Sequence, residues 1–502
     1  MIRWKKTGLT TQNRNKTIIP VFSPYYQLYI FVFDPYGGEM KKTPFTLGLV
    51  IALLALLAAC QPQVVTETVE VEVTRVVTET ETVIEEVEVI KEVEVEKIVE
   101  VEKEVEVEKV VEVNPVVFNS YSSDPAPRAF EEKMIAAYTA ANPNSPVQHT
   151  IVNHEDFKQA IRAYLVAEPA PDVLTWFAGN RARFFIDREL ILPISDVWED
   201  EGWNEDFPKG FRAMSEVDGE AYFLPTSWYW WAVFYRTDIF EEYNITPPET
   251  WDEMLAVCDT LDGAGLIPIT IGTKFRWTAA AWFDYINMRL NGPQFHLDLM
   301  LGKESYTDPR VKAVFEKWGE LFEHNCFIDN AAAYSWQEAV DPLNQGDAAM
   351  YLMGQFIMDP IADDVEDKID FFRFPIIDPA MPIGEDAPTD GFFIAASAAN
   401  PEGAKDLLAY MGSLEAQTLM VEEMGRLPTH NGVDKALFTP FQQKGIDLIN
   451  EADMVVQFFD RDTTPEMADV GMNGMMAFWD DPTQIDAILE ELEAARLEIF
   501  GE

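Results

Sequence analysis

The stretch that decides the fold is residues 222–254, YFLPTSWYWWAVFYRTDIFEEYNITPPETWDEM. Residues 228–235 are aromatic and β-branched, which is the composition of a β-strand. Pro225 marks a break before this run, because proline cannot donate a hydrogen bond to a neighbouring strand. Thr250 and Glu253 have the spacing of a capping box, which predicts that a helix begins after Thr250.

The rings of this stretch are candidates for a ligand-binding wall. Successive side chains of a strand point to opposite faces, so Trp228 and Trp230 would share one face and Tyr229 and Trp231 the other. Rings beside a chain break can line a cleft as well as fill a core. We therefore take Trp228 and Trp230 as candidate ligand contacts. We expect Trp251, at the capping turn, to be a core ring.

Composition and charge narrow the possible functions. The chain has 502 residues, enough for several domains, and a formal net charge of −50. Proteins that bind nucleic acid need clusters of Lys and Arg, so we expect this strongly acidic chain not to bind nucleic acid. The motifs H-E-x-x-H and G-x-S-x-G are missing and the five histidines are scattered, so we expect no metal and no cofactor. Cys258 and Cys326 could pair, but we expect buried free thiols.

Residues 40–60 have the features of a lipoprotein signal peptide. Met40 is followed by two lysines, by an apolar run over residues 45–57 and by Leu-Ala-Ala-Cys, which ends at Cys60. This ending resembles a bacterial lipobox. It implies cleavage before Cys60 and lipidation of its thiol and new amino terminus, and several acyl chains give stable anchoring. Residues 1–39 would then be a non-native N-terminal extension.

A low-complexity segment, residues 61–114, follows the signal. Residues 64–113 contain 17 Glu against four Lys and one Arg, a net −12. Residues 1–60 carry a net charge of +5. With −12 in residues 64–113 and −50 in the whole chain, residues 114–502 carry a net charge of −43. The Val/Glu alternation has the strand period, yet a lone strand is not stable. An extended stalk, a self-associating stalk and a helix all remain open, and each would act as a spacer.

From residue 114 onward, strands and helices alternate. Strands are predicted over residues 116–120, 147–152, 171–176, 267–271, 346–352, 372–376 and 390–396, and helices over 127–141, 251–262, 277–290, 309–323 and 335–344. This alternation is typical of an α/β sheet. In such a sheet, a polar ligand binds at the carboxyl ends of the strands, beside helix N-termini.

Five segments occur in the order of the motifs of one family. They are PDV at 171–173, YFLP at 222–225, FYRTDIF at 234–240, PPETWDE at 247–253 and GDAAM at 346–350. They resemble the extracellular solute-binding proteins of ABC importers, in the sugar-binding branch, and the resemblance covers roughly residues 115–435. Gln355 and Asp390 depart from the family pattern at positions where ligand contacts are expected, which leaves the substrate open.

The resemblance implies the α/β periplasmic-binding-protein type II fold, whose two lobes close on a ligand about a hinge. One lobe would comprise residues 115–225 plus 390–430, and the other residues 226–389 plus 431–502. The chain would cross between them near residues 224–227, near Asp390 and near Pro428. A sugar site needs rings to stack on and paired hydrogen-bonding groups. By position, the expected ligand contacts are Tyr121, Ser122, His154, Glu155, Trp176, Trp228, Trp230, Trp282, Gln355, Asp390, Gly391 and Phe392.

The main hypothesis is a non-enzymatic binding protein, lipid-anchored to the outer face of a bacterial cell membrane, that delivers a mono- or oligosaccharide to an ABC permease. We expect a monomer. One alternative is the same fold binding a cation such as a polyamine, which a strongly acidic protein would suit. The other is an extracytoplasmic glycoside hydrolase, which needs two carboxylates. Acidic residues are so numerous that their count does not discriminate between these hypotheses.

Overall fold

The computed structural model describes residues 114–501. The predicted extension, signal peptide and stalk, over residues 1–113, lie outside the described residues. The strands are β1 (Val116–Ser120), β2 (Val147–Ile151), β3 (Val173–Phe177), β4 (Glu216–Val217), β5 (Glu220–Ala221), β6 (Leu224–Trp228), β7 (Trp231–Arg236), β8 (Ile267–Ile269), β9 (Ala348–Gly354), β10 (Ile369–Phe372), β11 (Gly384–Asp386), β12 (Thr389–Ile394), β13 (Leu427–Pro428) and β14 (Met454–Val456).

The helices lie between these strands. They are Pro125–Ala141, His154–Leu165, Asn180–Ile186, Ser195–Asp200, Trp203–Asp206, Lys209–Ser215, Thr237–Glu242, Trp251–Gly263, Trp277–Asn291, Pro293–Met300, Pro309–Glu323, Asp341–Gln345, Pro401–Met411, Leu414–Met424, Pro440–Asn450, Phe459–Asp462, Pro465–Asp480 and Ile485–Phe500.

The first lobe is built on a six-stranded sheet of order β13-β6-β12-β3-β1-β2. β1 is parallel to β2 and β3, and the intervening helices Pro125–Ala141 and His154–Leu165 form the crossovers. β12 runs antiparallel to both β3 and β6. Hydrophobic clusters cover both faces of the sheet. The carboxyl ends of β1, β2 and β3 therefore meet at one edge, as the α/β pattern predicts.

The second lobe is built on a four-stranded sheet of order β10-β7-β9-β8. Its central strands β7 and β9 are buried at every residue, and the helix Trp277–Asn291 is buried along nearly its whole length. Thr250 and Glu253 form the predicted capping box at the start of helix Trp251–Gly263. Trp251 is buried, and its Nε1 donates to Glu320 Oε2 over 2.7 Å, so the prediction of a core ring is confirmed.

The predicted first crossing falls on a strand. Residues 224–227 belong to β6, which pairs with β12 and β13 in the first lobe, whereas β7 pairs in the second lobe. The chain therefore passes between the sheets at Tyr229 and Trp230. Pro225 is tolerated in β6 because it lies beside an irregularity that shifts the register between Asp390 and Gly391. The continuous strand that we predicted over residues 228–235 is thus two strands in two sheets.

The expectation of free thiols is wrong, because Cys258 and Cys326 form a disulfide. The bond joins helix Trp251–Gly263 to the segment that follows helix Pro309–Glu323. Both cysteines are buried in the core of the second lobe. The 68-residue spacing gave no indication of pairing, because only the packing of the two helices brings the Cα atoms to 5.2 Å.

Candidate functional site

A cavity of about 160 Å³ lies between the two lobes. On this measure a single water needs about 10–15 Å³, so the cavity has room for on the order of ten waters. Its first-lobe wall is the edge at which β1 and β3 end, together with residues of β6 and β12. Its second-lobe wall is formed by the start of β7, the start of helix Trp277–Asn291 and the segment that begins helix Phe459–Asp462.

Six of the predicted ligand contacts line this cavity. They are Tyr121, Ser122, His154, Asp390, Gly391 and Phe392. The first three follow the carboxyl ends of β1 and β2, and the last three belong to β12. Gly391 is required by a close backbone approach, since a Cβ atom there would lie 1.9 Å from the carbonyl oxygen of Leu224.

Asp390 is the centre of a hydrogen-bond network in the cavity. Its Oδ1 accepts from the Tyr121 hydroxyl over 3.0 Å and from Arg461 Nη1 over 2.8 Å. Burial, together with the neighbouring Asp390 carboxylate, raises the pKa of Tyr121 well above its usual value, so this hydroxyl keeps its proton and donates. Arg461 lies in the second lobe and Asp390 in the first, so the ion pair joins the lobes.

A second network joins helix His154–Leu165 to the second lobe. Lys158 Nζ donates to Asp460 Oδ2 over 3.0 Å, and Arg181 Nη1 donates to the Asp460 carbonyl oxygen over 2.7 Å. Burial acts to raise the pKa of Asp460, but the nearby cations, Lys158 first, outweigh it and lower the pKa to about 2. Glu155 Oε1 accepts from Trp277 Nε1 over 3.0 Å. These contacts hold the two walls of the cavity together.

A third link between the lobes lies at the other end of the cavity. Arg426 Nη2 donates to Asp359 Oδ2 over 2.6 Å, and both side chains are nearly buried. Gln355 Oε1 accepts from Arg426 Nη1 over 3.1 Å. Gln355 was a predicted ligand contact, but its amide is engaged by Arg426 and by the carbonyl oxygen of Gly425, and it does not line the cavity.

The loop after β1 is shaped by a buried carboxylate. Glu131 accepts from Ser120 Oγ over 2.6 Å and from Ser122 Oγ over 2.7 Å. His149 Nε2 lies 3.1 Å from the same carboxylate, and its ring stacks on Phe118 with the centroids 4.7 Å apart. Because Ser122 donates to Glu131, its hydroxyl oxygen remains available as an acceptor towards the cavity.

Aromatic rings form most of the second-lobe wall. The indole of Trp231 stacks on Phe458 at a centroid distance of 4.7 Å, and Trp277 lies edge-on to Trp231 at 6.1 Å. Phe356 packs against Trp336 at 5.0 Å. All five rings line the cavity. This arrangement offers flat apolar surfaces to a ligand on one side and polar groups of the first lobe on the other.

Two fully buried polar atoms on residues of the cavity lining have no hydrogen-bond partner among residues 114–501: Thr175 Oγ1 and Trp231 Nε1. Both side chains are more than nine-tenths buried. A buried polar group without a partner is unfavourable, and such groups are commonly completed by water or by a ligand. Both atoms are enclosed by protein, so a bound solute would reach them only after a small movement of the wall.

Three of the predicted ring contacts are core residues instead. Trp176 alternates with Thr175 along β3 and packs on Phe157 and Phe185, on the face that points away from the cavity. Trp282 lies more than one helical turn beyond Trp277 and packs edge-on against Phe327 and Phe374. Trp230 is fully buried, and a Cβ atom at Gly445 would lie 2.3 Å from its ring. None of these three rings lines the cavity.

Two further predicted contacts lie just outside the cavity. Trp228 donates through Nε1 to the carbonyl oxygen of Pro428 over 3.1 Å, which fixes its ring against β13. Glu155 is held by Trp277 and lies 3.6 Å from Lys158 Nζ, so it supports the wall from behind. The strand alternation predicted for the opening stretch does not apply, because Tyr229 and Trp230 lie between β6 and β7. The rings of this stretch that line the cavity are Tyr229 and Trp231.

Several lining residues were not predicted from the sequence. They are mainly the rings Tyr229, Trp231, Trp277, Trp336, Phe356 and Phe458 and the polar residues Asp124, Lys158, Thr175, Ser227, Asp359, Arg426, Asp460 and Arg461. Some carried a usable signal, because Tyr229 and Trp231 belong to the aromatic run of the opening stretch. Others, such as Arg461, reach the cavity only through contacts between the lobes, which no local pattern indicates.

Comparison with known proteins identifies the family. The model for bacterial extracellular solute-binding proteins matches residues 122–418. The chain belongs to this family. This solute-binding protein is 31% identical to the bacterial solute receptor AcbH, for which an exclusive substrate preference for β-D-galactopyranose is described. Their structures superpose with a TM-score of 0.73, covering 77% of this chain and 99% of AcbH.

One further relative agrees with the family, and one further solved structure agrees with the fold. An uncharacterised ABC transporter extracellular-binding protein of Pyrococcus horikoshii is 26% identical, over 59% of this chain and 67% of that protein. A chitin oligosaccharide binding protein, 19% identical, shares the fold with a TM-score of 0.70, over 76% of this chain and 98% of the other.

The two-lobed α/β fold and the family expected from the sequence are both confirmed. The protein is the solute-binding component of an ABC transporter. No helix within residues 114–501 combines the length and the apolar character that a membrane span requires.

Proposed function

We propose that the protein binds one small, uncharged carbohydrate in the cavity between its lobes and delivers it to the membrane permease of the transporter. The observation that carries this proposal is the pairing of aromatic walls with polar groups around a cavity of about 160 Å³. Rings stack on the apolar faces of a sugar, and hydroxyl groups of the sugar exchange hydrogen bonds with polar side chains. Space for on the order of ten waters suits a single sugar ring better than a long chain.

The charges of the cavity support an uncharged solute over a cationic one. Three carboxylates that line the cavity already have a cationic partner on the opposite lobe. The pairs are Asp390 with Arg461, Asp460 with Lys158, and Asp359 with Arg426, at nitrogen–oxygen distances of 2.8, 3.0 and 2.6 Å. A polyamine would have to break these pairs to reach those three carboxylates. Of the two other carboxylates in the lining, Glu131 already accepts from Ser120 and Ser122, and Asp124 accepts from Gln337. A neutral sugar can instead use oxygen lone pairs that the pairs leave free.

Binding without hydrolysis is the activity that we propose. A glycoside hydrolase needs one protonated carboxyl group as the general acid. Asp460 is a poor candidate, because its cationic neighbours lower its pKa to about 2. Asp390 is paired with Arg461. The family consists of solute-binding proteins, and AcbH is described as a receptor with a sugar preference, which further supports this reading.

We also propose that the protein is an extracytoplasmic lipoprotein, anchored through Cys60 after cleavage of residues 40–60. The Leu-Ala-Ala-Cys ending supports this assignment. Residues 61–114 would then act as the spacer between the membrane and the two lobes, and the protein would work as a monomer. Mass spectrometry of the membrane-extracted protein tests the anchor: a mature N-terminus upstream of Cys60 would contradict it.

A thermal-shift screen of the whole protein tests the proposed ligand class. A ligand at 100 times its Kd stabilises the folded state by about 2.7 kcal/mol, which is a rise in Tm of about 3 °C for a domain of ~390 residues. We expect this rise with one or more neutral monosaccharides and none with polyamines. Stabilisation by polyamines alone, or release of product from a glycoside, would contradict the proposal.

Trp336 and Trp479 provide a matched pair of variants for this screen. Trp336 lines the cavity, whereas Trp479 packs against Phe327 and is not part of the cavity lining. We expect Trp336→Ala to reduce the rise in Tm given by the sugar and Trp479→Ala to preserve it. If both variants respond like the wild type, the sugar binds somewhere else.

A further inference from the structure

The side chain of Arg461 is a cation enclosed by the protein itself. Its Nη1 donates to Asp390 Oδ1 over 2.8 Å. Its Cζ lies 4.0 Å from the ring centroid of Phe177 and 5.8 Å from that of Tyr229. Only 11% of the side chain is exposed. A carboxylate with aromatic faces around it is the arrangement that recognises guanidinium and ammonium groups in ligands.

This cation site belongs to the first lobe and the crossing segment. Asp390 and Phe177 are neighbours across the pairing of β12 with β3. The Tyr121 hydroxyl donates to the same Asp390 oxygen as Arg461, which fixes the carboxylate in place. Without the arginine, the hydrogen bond from Tyr121 would still hold the carboxylate, whose backbone is fixed in β12 between β3 and β6.

Arg461 is delivered to this site from the second lobe. It lies in the helix Phe459–Asp462, and the Phe459 amide donates to the buried Asp284 carboxylate over 2.9 Å. Phe458, just before the helix, stacks on Trp231 of the second-lobe sheet. The arginine is therefore attached to one lobe and occupies a cation site on the other. It stands where a free cation would otherwise bind.

We propose that Arg461 acts as a tethered cation that fills this site and excludes cationic solutes from the cavity, which makes it a specificity-determining residue. The inference rests on the proposed function only in taking the preferred solute to be neutral. Exclusion matters for this protein because residues 114–502 carry a net −43, and such a charge raises the local concentration of cations. A tethered group competes at an effective concentration in the millimolar range or above, which weak cationic ligands do not overcome.

The test is to remove the tethered cation and offer a free one. Methylguanidinium chloride is titrated into the whole protein and into the variant Arg461→Gly, with sodium chloride at equal ionic strength as the control. We expect saturable binding to Arg461→Gly, with an apparent Kd at least about tenfold lower than for the wild type. The double variant Arg461→Gly/Asp390→Asn should lose this gain. Binding of equal strength to the wild type and to Arg461→Gly, or to neither, overturns the inference.

Two additional variants keep the test decisive. Arg461→Lys retains a cation, so it should exclude methylguanidinium as the wild type does. If Arg461→Gly does not fold, judged by its circular dichroism, Arg461→Gln removes the charge and keeps most of the side chain. We then expect methylguanidinium to raise the Tm of Arg461→Gln and not that of the wild type, and the absence of this difference overturns the inference.

A sugar titration in parallel separates this inference from the proposed function. If no neutral sugar binds the wild type but Arg461→Gly gains methylguanidinium, the proposed function fails and the tethered-cation inference stands. If the wild type binds a sugar and also binds methylguanidinium as tightly as Arg461→Gly does, the inference fails and the proposed function stands.

Discussion

Trp230 and Trp231 are adjacent in the chain, and we predict that they have separable roles. Trp230 is fully buried in the second lobe, 5.4 Å from Phe371 and 5.9 Å from Phe441 by ring centroids. The backbone of helix Pro440–Asn450 packs directly on its indole. Replacing Trp230 by Ala therefore leaves a space that neighbouring groups cannot fill without moving the helix.

The size of the effect follows from the buried surface. A buried tryptophan covers about 150–250 Å², which corresponds to roughly 4–6 kcal/mol at 25 cal/mol per Å². Measured core substitutions of this kind lose about 3–5 kcal/mol, and we take this range for Trp230→Ala. Unfolding a domain of ~390 residues has an entropy of about 0.8 kcal/mol/K, so the Tm should fall by about 4–6 °C.

The assay combines thermal unfolding of each variant with a calorimetric titration, below the Tm, of the sugar that the wild type binds. Trp230→Ala should lower the Tm as stated and leave the Kd for the sugar within about threefold of the wild type. The ring of Trp231 lines the cavity, so Trp231→Ala should raise the Kd for the sugar at least about tenfold, which is a loss of about 1.4 kcal/mol in binding free energy. If Trp230→Ala raises the Kd for the sugar as much as Trp231→Ala does and shifts the Tm by less than about 1 °C, Trp230 is a ligand contact. Our assignment of Trp230 to the core and Trp231 to the cavity would then be wrong.

Three more predictions concern the fold. Replacing Cys258 and Cys326 by Ser should lower the free energy of unfolding by about 4 kcal/mol in a denaturant titration, because the bond closes a loop of 68 residues. Burial raises the pKa of Asp386, and the nearby Glu385 carboxylate raises it further. The protonated form of Asp386 therefore stabilises the fold fully at pH values below the ordinary aspartate pKa, and this stabilisation is lost as the pH rises through the raised pKa of the folded state. Asp386→Asn should therefore become more stable relative to the wild type as the pH rises above about 4, measured by denaturation at several pH values. Gly391→Ala should abolish sugar binding and lower the Tm, because the new Cβ would meet a backbone oxygen at 1.9 Å.

Each of these predictions has a contradicting outcome. An unchanged unfolding midpoint after replacement or reduction of the cysteines would mean that the bond contributes nothing. A constant stability difference between Asp386→Asn and the wild type across the pH range would show that Asp386 is ionised in the folded state. Normal sugar affinity in Gly391→Ala would show that β12 and β6 can separate at no cost to the site.

The fold could be predicted largely from local patterns. The capping box at Thr250 gave the helix start, and the strand over residues 116–120 has the expected bounds because it is a short, largely apolar run followed by a polar loop. The strand expected over residues 147–152 ends one residue earlier, at Ile151. The strand expected over residues 372–376 lies instead at Ile369–Phe372. There the apolar residues continue past the end of the strand into core packing, which composition does not distinguish from pairing.

The site was only half predictable, and the reason lies in its construction from two lobes. Residues that follow strand ends, such as Tyr121 and His154, could be expected at the cavity from the topology of an α/β sheet. Aromatic rings could not be assigned by residue type, since Trp230 and Trp282 fill cores while Trp277 lines the cavity. The ring count indicated a site, but the face of each strand and helix decides which rings belong to it.

The most direct test of the central claim is isothermal titration calorimetry of the whole protein with a panel of neutral monosaccharides and with spermidine. We predict that at least one monosaccharide binds with a one-to-one stoichiometry and that spermidine releases no binding heat beyond that of a salt control. Binding of spermidine with no response to any sugar would contradict the account.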